Sequence, residues 1–389
     1  MSSIENTGKR VTIVGGAGAM GRWALRTAAR LDFIGDLVVA DINLERAQQI
    51  CEEVGAPARA VQLDVTDTVA IRQVFAASDI VLNTMGPFVM YGERILRAAI
   101  ESGCDYLDID DDWESTVAAL ELDAAAKSAG VRVVKGMGAS PGLSNLLARA
   151  AASELDQVDE LYTGWALVGA SADPADSSSG PSAALDHFLR QSSGQIRTWQ
   201  NGGWAEPAPL ERIELSFPGL GQHTVYTCGH PEPITLAGNI PVRNTSLNVM
   251  SGPDWFFDPL RTVATGYANG ELTLGQAGEK LAAARRPFHD ALPLVWALAT
   301  GDGAEQGMSV LATITPSYSL PGRMGGATGI PLAVGLDLLV RHADTPAGVL
   351  APESAFEPSE FFERLADFAT KSEDADPSML SIVKSEGDA

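Results

Sequence analysis

A glycine-rich turn near the start of the chain constrains the fold more than any other feature. Gly16, Gly18 and Gly21 follow the apolar run at residues 11–14 and open a stretch typical of a helix. This G-x-G-x-x-G spacing permits a tight turn, lets the backbone approach a pyrophosphate, and allows the helix to pack closely on the strand. The helix N-terminus then presents unpaired N–H groups to the phosphates. The predicted dinucleotide contacts at this turn are Gly16, Gly18, Ala19, Met20 and Gly21.

Six short apolar runs recur through the first third of the chain. They lie at residues 11–14, 37–40, 60–64, 80–83, 106–109 and 131–134, with helices predicted between them at residues 21–31, 44–54, 68–76, 92–102 and 113–129. Each run is almost continuously apolar, which is typical of parallel strands buried on both faces. Residues 1–138 are therefore predicted to form an α/β domain with a doubly wound parallel (Rossmann) sheet.

The pattern changes after a predicted helix at residues 143–154. Strands joined by loops rich in glycine, proline and serine follow, with few helices, at residues 162–167, 195–200, 212–217, 223–228, 246–250 and 308–315. This predicts a second, α+β domain over residues 139–325 with a largely antiparallel sheet. An exposed edge of such a sheet favours pairing with a second copy, so a homodimer or higher homo-oligomer is expected. Residues 171–182 are expected to be a mobile loop, placed as a lid over the domain junction.

The C-terminal segment, residues 326–389, is predicted to return to the dinucleotide-binding domain. Its helix at residues 329–342 is apolar on nearly every side, so other elements must cover it. The acidic tail from residue 371 is expected to fray, apart from a short docking piece at residues 379–383.

Composition excludes several classes of partner. Hydrophobic residues make up 45% of the 389, enough to build a core. The formal net charge of −23 repels nucleic acid and anionic membranes. No stretch approaches the length that a bilayer span needs, and the three cysteines form no CxxC pair. A cytoplasmic protein is therefore expected, with no nucleic acid, no membrane and no metal site.

A carboxylate at the end of the second predicted strand bears on the choice of cofactor. Asp41 lies twenty positions after Gly21, where a carboxylate accepts hydrogen bonds from the adenosine ribose and repels a 2′-phosphate. NAD is therefore the predicted cofactor. NADP stays open, because Arg22 or Arg46 is placed to reach a 2′-phosphate, and Asp41 is also placed to cap the helix that begins near Leu44.

Further cofactor contacts are predicted where the following strands end, because ligands bind at the carboxyl ends of strands in open α/β sheets. Asp64 and Val65 are placed to flank the adenine, and the loop after Asn83 is placed beyond the pyrophosphate. Phe88 in that loop is equally well explained as core packing. The additional predicted contacts are Ile42, Asp64, Val65, Thr84, Met85, Gly86, Pro87 and Gly138.

The sequence lacks the motifs of three classes of nucleotide-dependent protein. No tyrosine has a lysine four positions later, as short-chain dehydrogenases require. The clustered Cys and His ligands of zinc alcohol dehydrogenases are absent, as is the G-x-x-x-x-G-K-[ST] phosphate loop. Hydride chemistry would therefore depend on a pocket in the second domain.

Five pieces of sequence together make the chain resemble the saccharopine dehydrogenase-like oxidoreductases, including saccharopine reductase, lysine 6-dehydrogenase and carboxynorspermidine dehydrogenase. They are the glycine fingerprint, Asn83-Thr84-Met85-Gly86-Pro87-Phe88 with Tyr91-Gly92-Glu93, Tyr106-Leu107-Asp108-Ile109-Asp110-Asp111, Gly138-Ala139-Ser140-Pro141-Gly142-Leu143-Ser144-Asn145, and Ala327-Thr328-Gly329-Ile330-Pro331. The resemblance implies a dinucleotide domain, an inserted substrate and dimerisation domain, and a returning helix. It also implies reversible NAD(P)-linked oxidation of an amine to an imine.

Amine oxidation needs a base with a pKa near the working pH, because the nitrogen must be neutral before the carbon loses hydride. Among the five histidines, His230 is preferred, since it lies where a predicted strand breaks at a proline, with His223 at the strand's other end. His342 is explained as a cation at a helix C-terminus. His187 and His289 are interpreted as solvated surface residues.

Four carboxylates cluster at the end of the fifth predicted strand: Asp108, Asp110, Asp111 and Asp112. Their crowding favours raised pKa values or the binding of a substrate ammonium. An acidic first turn of the next helix accounts for Asp111 and Asp112 but less well for Asp110, which is the second catalytic candidate. Lys135 and Arg243 are weighed as carboxylate clamps, with surface charge an equal explanation.

These features predict an NAD(P)-dependent oxidoreductase acting on a small amine or imine of the amino acid or polyamine kind. His230 and Asp110 are its predicted catalytic residues. One alternative is a reductase of a C=C or C=O bond on the same fold. The other is a non-catalytic NAD(H)-binding regulatory protein, whose site would be apolar or blocked beside the nicotinamide.

Overall fold

The computed structural model describes residues 8–169, 183–303, 307–374 and 376–386. The predicted lid at residues 171–182 lies outside the described residues. The strands, in chain order, are β1 (Lys9–Val14), β2 (Ile34–Asp41), β3 (Ala58–Gln62), β4 (Ile80–Asn83), β5 (Asp105–Asp108), β6 (Arg132–Val134), β7 (Gln157–Ala166), β8 (Thr198–Gln200), β9 (Gly203–Ala205), β10 (Arg212–Phe217), β11 (Gly221–Thr227), β12 (Val242–Ser251), β13 (Val295–Asp302), β14 (Met308–Ile314), β15 (Tyr318–Ser319), β16 (Gly348–Leu350), β17 (Thr370–Lys371) and β18 (Leu380–Glu386).

The helices are α1 (Ala19–Ala28), α2 (Leu44–Val54), α3 (Thr68–Phe75), α4 (Phe88–Ser102), α5 (Trp113–Leu120), α6 (Asp123–Ala129), α7 (Leu143–Ala152), α8 (Ala183–Gln191), α9 (Glu232–Asn239), α10 (Asp254–Ala268), α11 (Leu274–Ala284), α12 (Arg323–Arg341), α13 (Pro352–Ala355) and α14 (Pro358–Ala366). The stretch at residues 113–129, expected to be one helix, is divided between α5 and α6.

The first sheet confirms the predicted doubly wound architecture. Its strands run parallel in the order β16-β6-β5-β4-β1-β2-β3. Successive side chains enter opposite cores: Ile13 packs in a cluster with Leu25 of α1, whereas Val14 packs in a cluster with Ile95 of α4. The sheet has seven strands instead of six, because the short β16 adds to β6 at its edge. A run of three residues is too short for its periodicity to predict a strand.

Helix α12 returns to the first sheet and packs directly on α1. A Cβ at Gly329 would lie 2.3 Å from the carbonyl oxygen of Met20 and 2.8 Å from the backbone nitrogen of Ala24. The helix begins at Arg323, earlier than predicted, because its glycine-rich first turns disfavour a helix by propensity while permitting this close contact. In the described part of the chain, α12 is long and apolar enough to span a bilayer by composition, yet 72% of that stretch is buried within the protein.

The second sheet is mixed and mostly antiparallel. Its order is β10-β11-β12-β7-β13-β14-β18, with β8 and β9 attached to β12; β12 and β7 pair in parallel, and the other neighbours are antiparallel. The expectation of few helices here is wrong, since α8 to α11 lie in this region. Pro259 and Gly266 lie inside α10 and disfavour a helix by propensity. The helix forms because its apolar face, which includes Leu260 and Val263, is buried in the core.

One apolar core joins the two sheets through α7. Leu146 and Leu147 of that helix belong to the same buried cluster as Ile13 of β1 and Ala297 of β13. The tail does not simply fray, because β18 pairs antiparallel with β14 over its length. The loops that follow the strands of the first sheet therefore face elements of the second sheet across a packed junction.

Candidate functional site

The glycine-rich turn forms a close backbone cradle between β1 and α1. Gly15 has a left-handed backbone, with φ at +72°. A Cβ at Gly16 would lie 2.9 Å from Cγ1 of Val39, and a Cβ at Gly21 would lie 2.5 Å from the carbonyl oxygen of Gly15. The tight turn assigned to Gly16 is therefore made by Gly15, and Gly16 instead lets the turn pack on β2.

This cradle fits the pyrophosphate of a dinucleotide. Gly18 precedes α1 and has no side chain to cap it, so the N–H groups at the start of the helix, where Ala19 and Met20 lie, face outward for an anion. The chain would hold the phosphates with its backbone, and the bound group would supply hydride transfer.

Asp41 ends β2 beside the cradle. Its Oδ2 accepts from the backbone N–H of Ala17 at 3.1 Å, and its Oδ1 accepts from that of Asn43 at 3.0 Å. Asp41 does not cap α2, because Asn43 is the N-cap and its Oδ1 accepts from the backbone N–H of Arg46 at 3.0 Å. Each carboxylate oxygen has a second lone pair to offer, so Asp41 can still accept from ribose hydroxyls.

The predicted adenine contacts lie at the same edge of the sheet. Ile42, the residue after Asp41, is 65% exposed. Asp64 is exposed, and the hydroxyl and backbone N–H of Thr66 donate to its Oδ1 at 2.7 and 2.8 Å, lowering the pKa of Asp64. Val65 is buried under the loop.

The loop after β4 packs on the glycine turn. The hydroxyl of Thr84 donates to the carbonyl oxygen of Val14 at 2.9 Å, and the backbone N–H of Met85 donates to Asn83 Oδ1 at 3.0 Å. Gly86 and Pro87 follow and lead into α4, so the predicted contacts of this loop lie next to the cradle. Gly138 packs against α12, since a Cβ there would be 3.0 Å from Cγ2 of Thr328.

A buried ion-pair group lies at the ends of β5 and β6. Nζ of Lys135 donates to Oδ2 of Asp108 and to Oδ2 of Asp110, at 2.5 Å each, and all three side chains are at most 2% exposed. Lys135 is therefore not a surface charge. Burial raises the pKa of Asp110 to about 7, although the charge of Lys135 opposes the rise. Phe88 is buried beside them, with its ring 5.7 Å from Nζ.

A second group joins Asp111 to α8. Nδ1 of His187 donates to Oδ1 of Asp111 at 2.6 Å and lies 3.5 Å from Oδ1 of Asp112. His187 is 5% exposed, so its interpretation as a solvated residue is wrong. Burial disfavours the charged ring, but the carboxylates of Asp111, Asp112 and Asp110 together outweigh it and raise the pKa of His187 to about 9. Burial likewise opposes ionisation of Asp111, and His187 outweighs it, so that the pKa of Asp111 falls to about 2.

A hydrogen-bonded chain connects Asp111 to His230. Nε2 of Gln191 donates to Oδ2 of Asp111 at 3.0 Å, and Oε1 of Gln191 accepts from Nε2 of His230 at 3.1 Å. Nδ1 of His230 lies 3.3 Å from the hydroxyl of Ser140 and 3.5 Å from Oε2 of Glu232. Burial opposes the charged ring, but Cys228 and Glu232 outweigh it and raise the pKa of His230.

The other charged candidates lie elsewhere. His223 is half-buried and contacts the carbonyl oxygen of Leu220, His289 is exposed, and His342 pairs with Glu360 near the surface. Arg243 pairs with Asp159 at 2.7 Å. None of these four residues belongs to the described networks around Lys135, His187 and His230.

The two networks meet where loops of the first sheet face α8 and α9 of the second domain. Asp110 and Asp111 are neighbours in sequence, yet one faces Lys135 and the other His187. Sequence reasoning weighed Lys135 only as a carboxylate clamp or a surface charge, and it missed His187 and Gln191 as members of this site. Only Lys135 carried a usable signal, because it follows a predicted parallel strand directly, at the edge where ligands bind.

Comparison with known proteins finds a matching family model for the first third of the chain. The family model described as the saccharopine dehydrogenase NADP-binding domain matches residues 11–134. The chain is 27% identical over 267 residues to a carboxyaminopropylagmatine dehydrogenase of Synechocystis, covering 65% of each chain. It is 24% identical over 260 residues to a carboxynorspermidine synthase of Vibrio alginolyticus, covering 59% of each. The matches thus span less than two thirds of these relatives, and they confirm the predicted resemblance.

A solved structure shows the same fold over nearly the whole chain. The apo saccharopine dehydrogenase (L-Glu forming) of Saccharomyces cerevisiae superimposes with a TM-score of 0.64, at 16% identity, covering 97% of this chain and 100% of that one. The family match and the glycine cradle together make this edge of the first sheet a site for a nicotinamide dinucleotide, NAD(P).

Proposed function

We propose that this saccharopine dehydrogenase-like protein is an NAD(P)-dependent oxidoreductase that interconverts a small amine and its imine. The observation that carries the proposal is the pair of buried charged networks beside the cofactor edge. An apolar or blocked site, which a regulatory NAD(H)-binding protein would have there, is the opposite of what surrounds His187, His230 and Asp110. The names of the two relatives refer to an agmatine derivative and a norspermidine derivative, which supports an amine as the substrate.

The chemistry of the C–N bond suits this arrangement. An amine bound at neutral pH is cationic and must lose a proton before hydride leaves its carbon, and the imine must gain one during reduction. Asp108, Asp110, Asp111 and Asp112 carry more negative charge when ionised than Lys135 and His187 neutralise. Such a site attracts an ammonium group and favours protonated side chains.

The catalytic roles predicted for His230 and Asp110 are proposals with different support. Both ring nitrogens of His230 face polar partners, Gln191 on one side and Ser140 with Glu232 on the other. This arrangement supports a role in moving protons through the network. Asp110 is held by Lys135, which supports a role in setting the charge of the site.

A substrate screen tests the function. We would follow nicotinamide absorbance with amino acids, diamines and cyclic imines, in both directions and with both cofactors. Turnover of at least one amine or imine is expected. Turnover confined to alcohols or enones would identify the C=O or C=C reductase instead, and tight NADH binding without any turnover would favour the regulatory protein.

Asp41 supports a preference for NAD, although the matching family model is named for NADP. A 2′-phosphate placed near this carboxylate would be repelled. Asp41→Asn removes the charge and keeps an oxygen for Ala17 or Asn43, so we expect NADPH affinity to rise about tenfold, a change of ~1.4 kcal/mol. Titration of both cofactors measures this, and tighter NADPH binding by the unaltered protein would contradict the preference.

We also propose a cytoplasmic homodimer or higher homo-oligomer, with a small-molecule substrate and no nucleic acid or membrane partner. The strands β10 and β18 are the two ends of the second sheet, and such edges favour pairing. The buried, free Cys51, Cys104 and Cys228 suit a reducing compartment. Sedimentation at micromolar concentration and cell fractionation test these two points.

A further inference from the structure

One polar atom at the domain junction has no partner. Nε2 of His187 is fully buried and makes no hydrogen bond to any described residue. It points at the loop after β4: a Cβ on Gly86 would lie 2.9 Å from this nitrogen, against 3.6 Å from the Cβ of Ala183. Leaving a buried N–H without an acceptor costs about 1–3 kcal/mol. Nε2 is buried without an acceptor beside a loop that packs on the cofactor cradle, and this points to a ligand that supplies the missing partner.

We propose that His187, oriented by Asp111, exchanges a proton with the substrate nitrogen at the nicotinamide end of the site. This inference rests on the proposed function and adds a catalytic residue and a preferred direction to it. The absence of a side chain at Gly86 lets the loop after β4 lie directly against Nε2.

Asp111 fixes the tautomer that the role requires. Its Oδ1 holds the Nδ1–H of His187 at 2.6 Å, and Gln191 fixes its other oxygen at 3.0 Å. With Nδ1–H committed to the carboxylate, proton exchange is confined to Nε2. In reduction, hydride from NAD(P)H adds to the imine carbon and the C=N π electrons move to nitrogen. That nitrogen takes the Nε2 proton, leaving amine, NAD(P)⁺ and neutral His187, which regains a proton from hydronium or a buffer acid in solvent.

The surroundings of His187 favour its charged form. Asp111 and Asp112 face its ring from the loop before α5, with Asp110 behind them, and the edge of Phe88 on α4 packs against it. Lys135 neutralises Asp110, and on α8 itself Asp186 is engaged by Arg190 and by Tyr267 of α10. His230 lies beyond Gln191. Because the raised pKa of His187 is about 9, Nε2 carries a proton at neutral pH, and the site is set for imine reduction.

Asp111, Asp112 and His187 also bring potential ligand atoms within 4.8 Å of one another. The short hydrogen bond between Nδ1 and Oδ1 uses the two atoms that would have to face a cation. We therefore interpret the group as a proton-transfer pair, and we expect the rate of imine reduction to be the same with and without a chelator.

The first test measures the imidazole itself by NMR titration. The pKa of His187 is expected near 9 in the unaltered protein and at least one unit lower in Asp111→Asn, because the partner's charge is lost. Glu360→Gln is the matched control, since it breaks an exposed carboxylate pair with His342 and should leave His187 unchanged. A His187 pKa near its ordinary value, or one that Asp111→Asn does not move, would overturn the inference.

The second test separates catalysis from folding. His187→Gln should lower kcat for imine reduction about 10²–10⁴-fold, whereas His342→Gln should not, with thermal unfolding of both variants measured alongside. The basic limb of the reductive pH profile should lie near 9 and move to lower pH in Asp111→Asn. Imine reduction at the unaltered rate in His187→Gln would refute this role but not the proposed function. Failure of every amine and imine to react would refute both.

Discussion

Lys135 offers a direct test of how the carboxylates at the cofactor edge are held. Lys135→Met keeps the length and apolar character of the stem but removes the charge shared by Asp108 and Asp110. Both carboxylates are fully buried. Asp108 would keep its hydrogen bonds from Tyr106 and from the backbone N–H of Gly136, at 2.9 and 2.8 Å. Asp110 would lose the hydrogen bond and the charge that Lys135 gives to its Oδ2.

The expected cost follows from removing one partner of a buried ion pair, which destabilises a protein by about 3–5 kcal/mol. The cost depends on pH. Burial already raises the pKa of Asp110 to about 7 even though Lys135 opposes the rise, so without Lys135 the pKa climbs further. When the pKa of a group is higher in the folded protein than in the unfolded chain, the protein loses stability as pH rises from the unfolded pKa through the folded pKa. The variant should therefore be least affected in acid and most affected above neutrality.

Urea unfolding of both proteins at about pH 5.5 and 8.5 measures this difference. Lys127→Met is the matched control, because Lys127 pairs with Asp123 on the surface, at 61% and 35% exposure. Such pairs contribute about 0–1 kcal/mol. The reasoning fails if Lys135→Met costs no more than Lys127→Met, or if its cost is the same at both pH values.

Two further outcomes are expected. Gly21→Ala should weaken NAD(P)H binding about tenfold or more, because its Cβ would lie 2.5 Å from the carbonyl oxygen of Gly15 and overpacking costs about 1–3 kcal/mol. A fluorescence titration with NAD(P)H measures the binding, and Gly275→Ala, with no atom within 4 Å of its Cβ, should bind normally. The folded protein should also lose up to ~3 kcal/mol of stability between about pH 6.5 and 9, because the pKa of His187 is raised to about 9 and each unit is worth ~1.4 kcal/mol. Denaturant titrations across that range should show a smaller loss in Asp111→Asn, and an equal loss would contradict the assignment.

The parts of the molecule encoded locally were predictable from the sequence. Six of the seven strands of the first sheet follow apolar runs in the sequence, and α2 and β4 have the bounds that their patterns predict, because burial on both faces and helical periodicity act within a few residues. The glycine spacing likewise predicted the cradle, since close packing of a helix on a strand excludes side chains at those positions. Helices that contradict local propensity, such as α10 with Pro259 and the glycine-rich start of α12, were not predictable in this way.

The proton-transfer site was decided by tertiary structure. Asp111 and His187 are 76 positions apart, and Asp111 and Gln191 are 80 apart; no local pattern distinguishes Asp111, which turns toward α8, from Asp110, which turns toward Lys135. His187 lies on an amphipathic stretch typical of a surface helix, and it is buried only because α8 packs over the loops of the first sheet. Charge and pKa at this site depend on which groups are brought within a few ångströms and removed from water together, and that follows from how the two sheets dock.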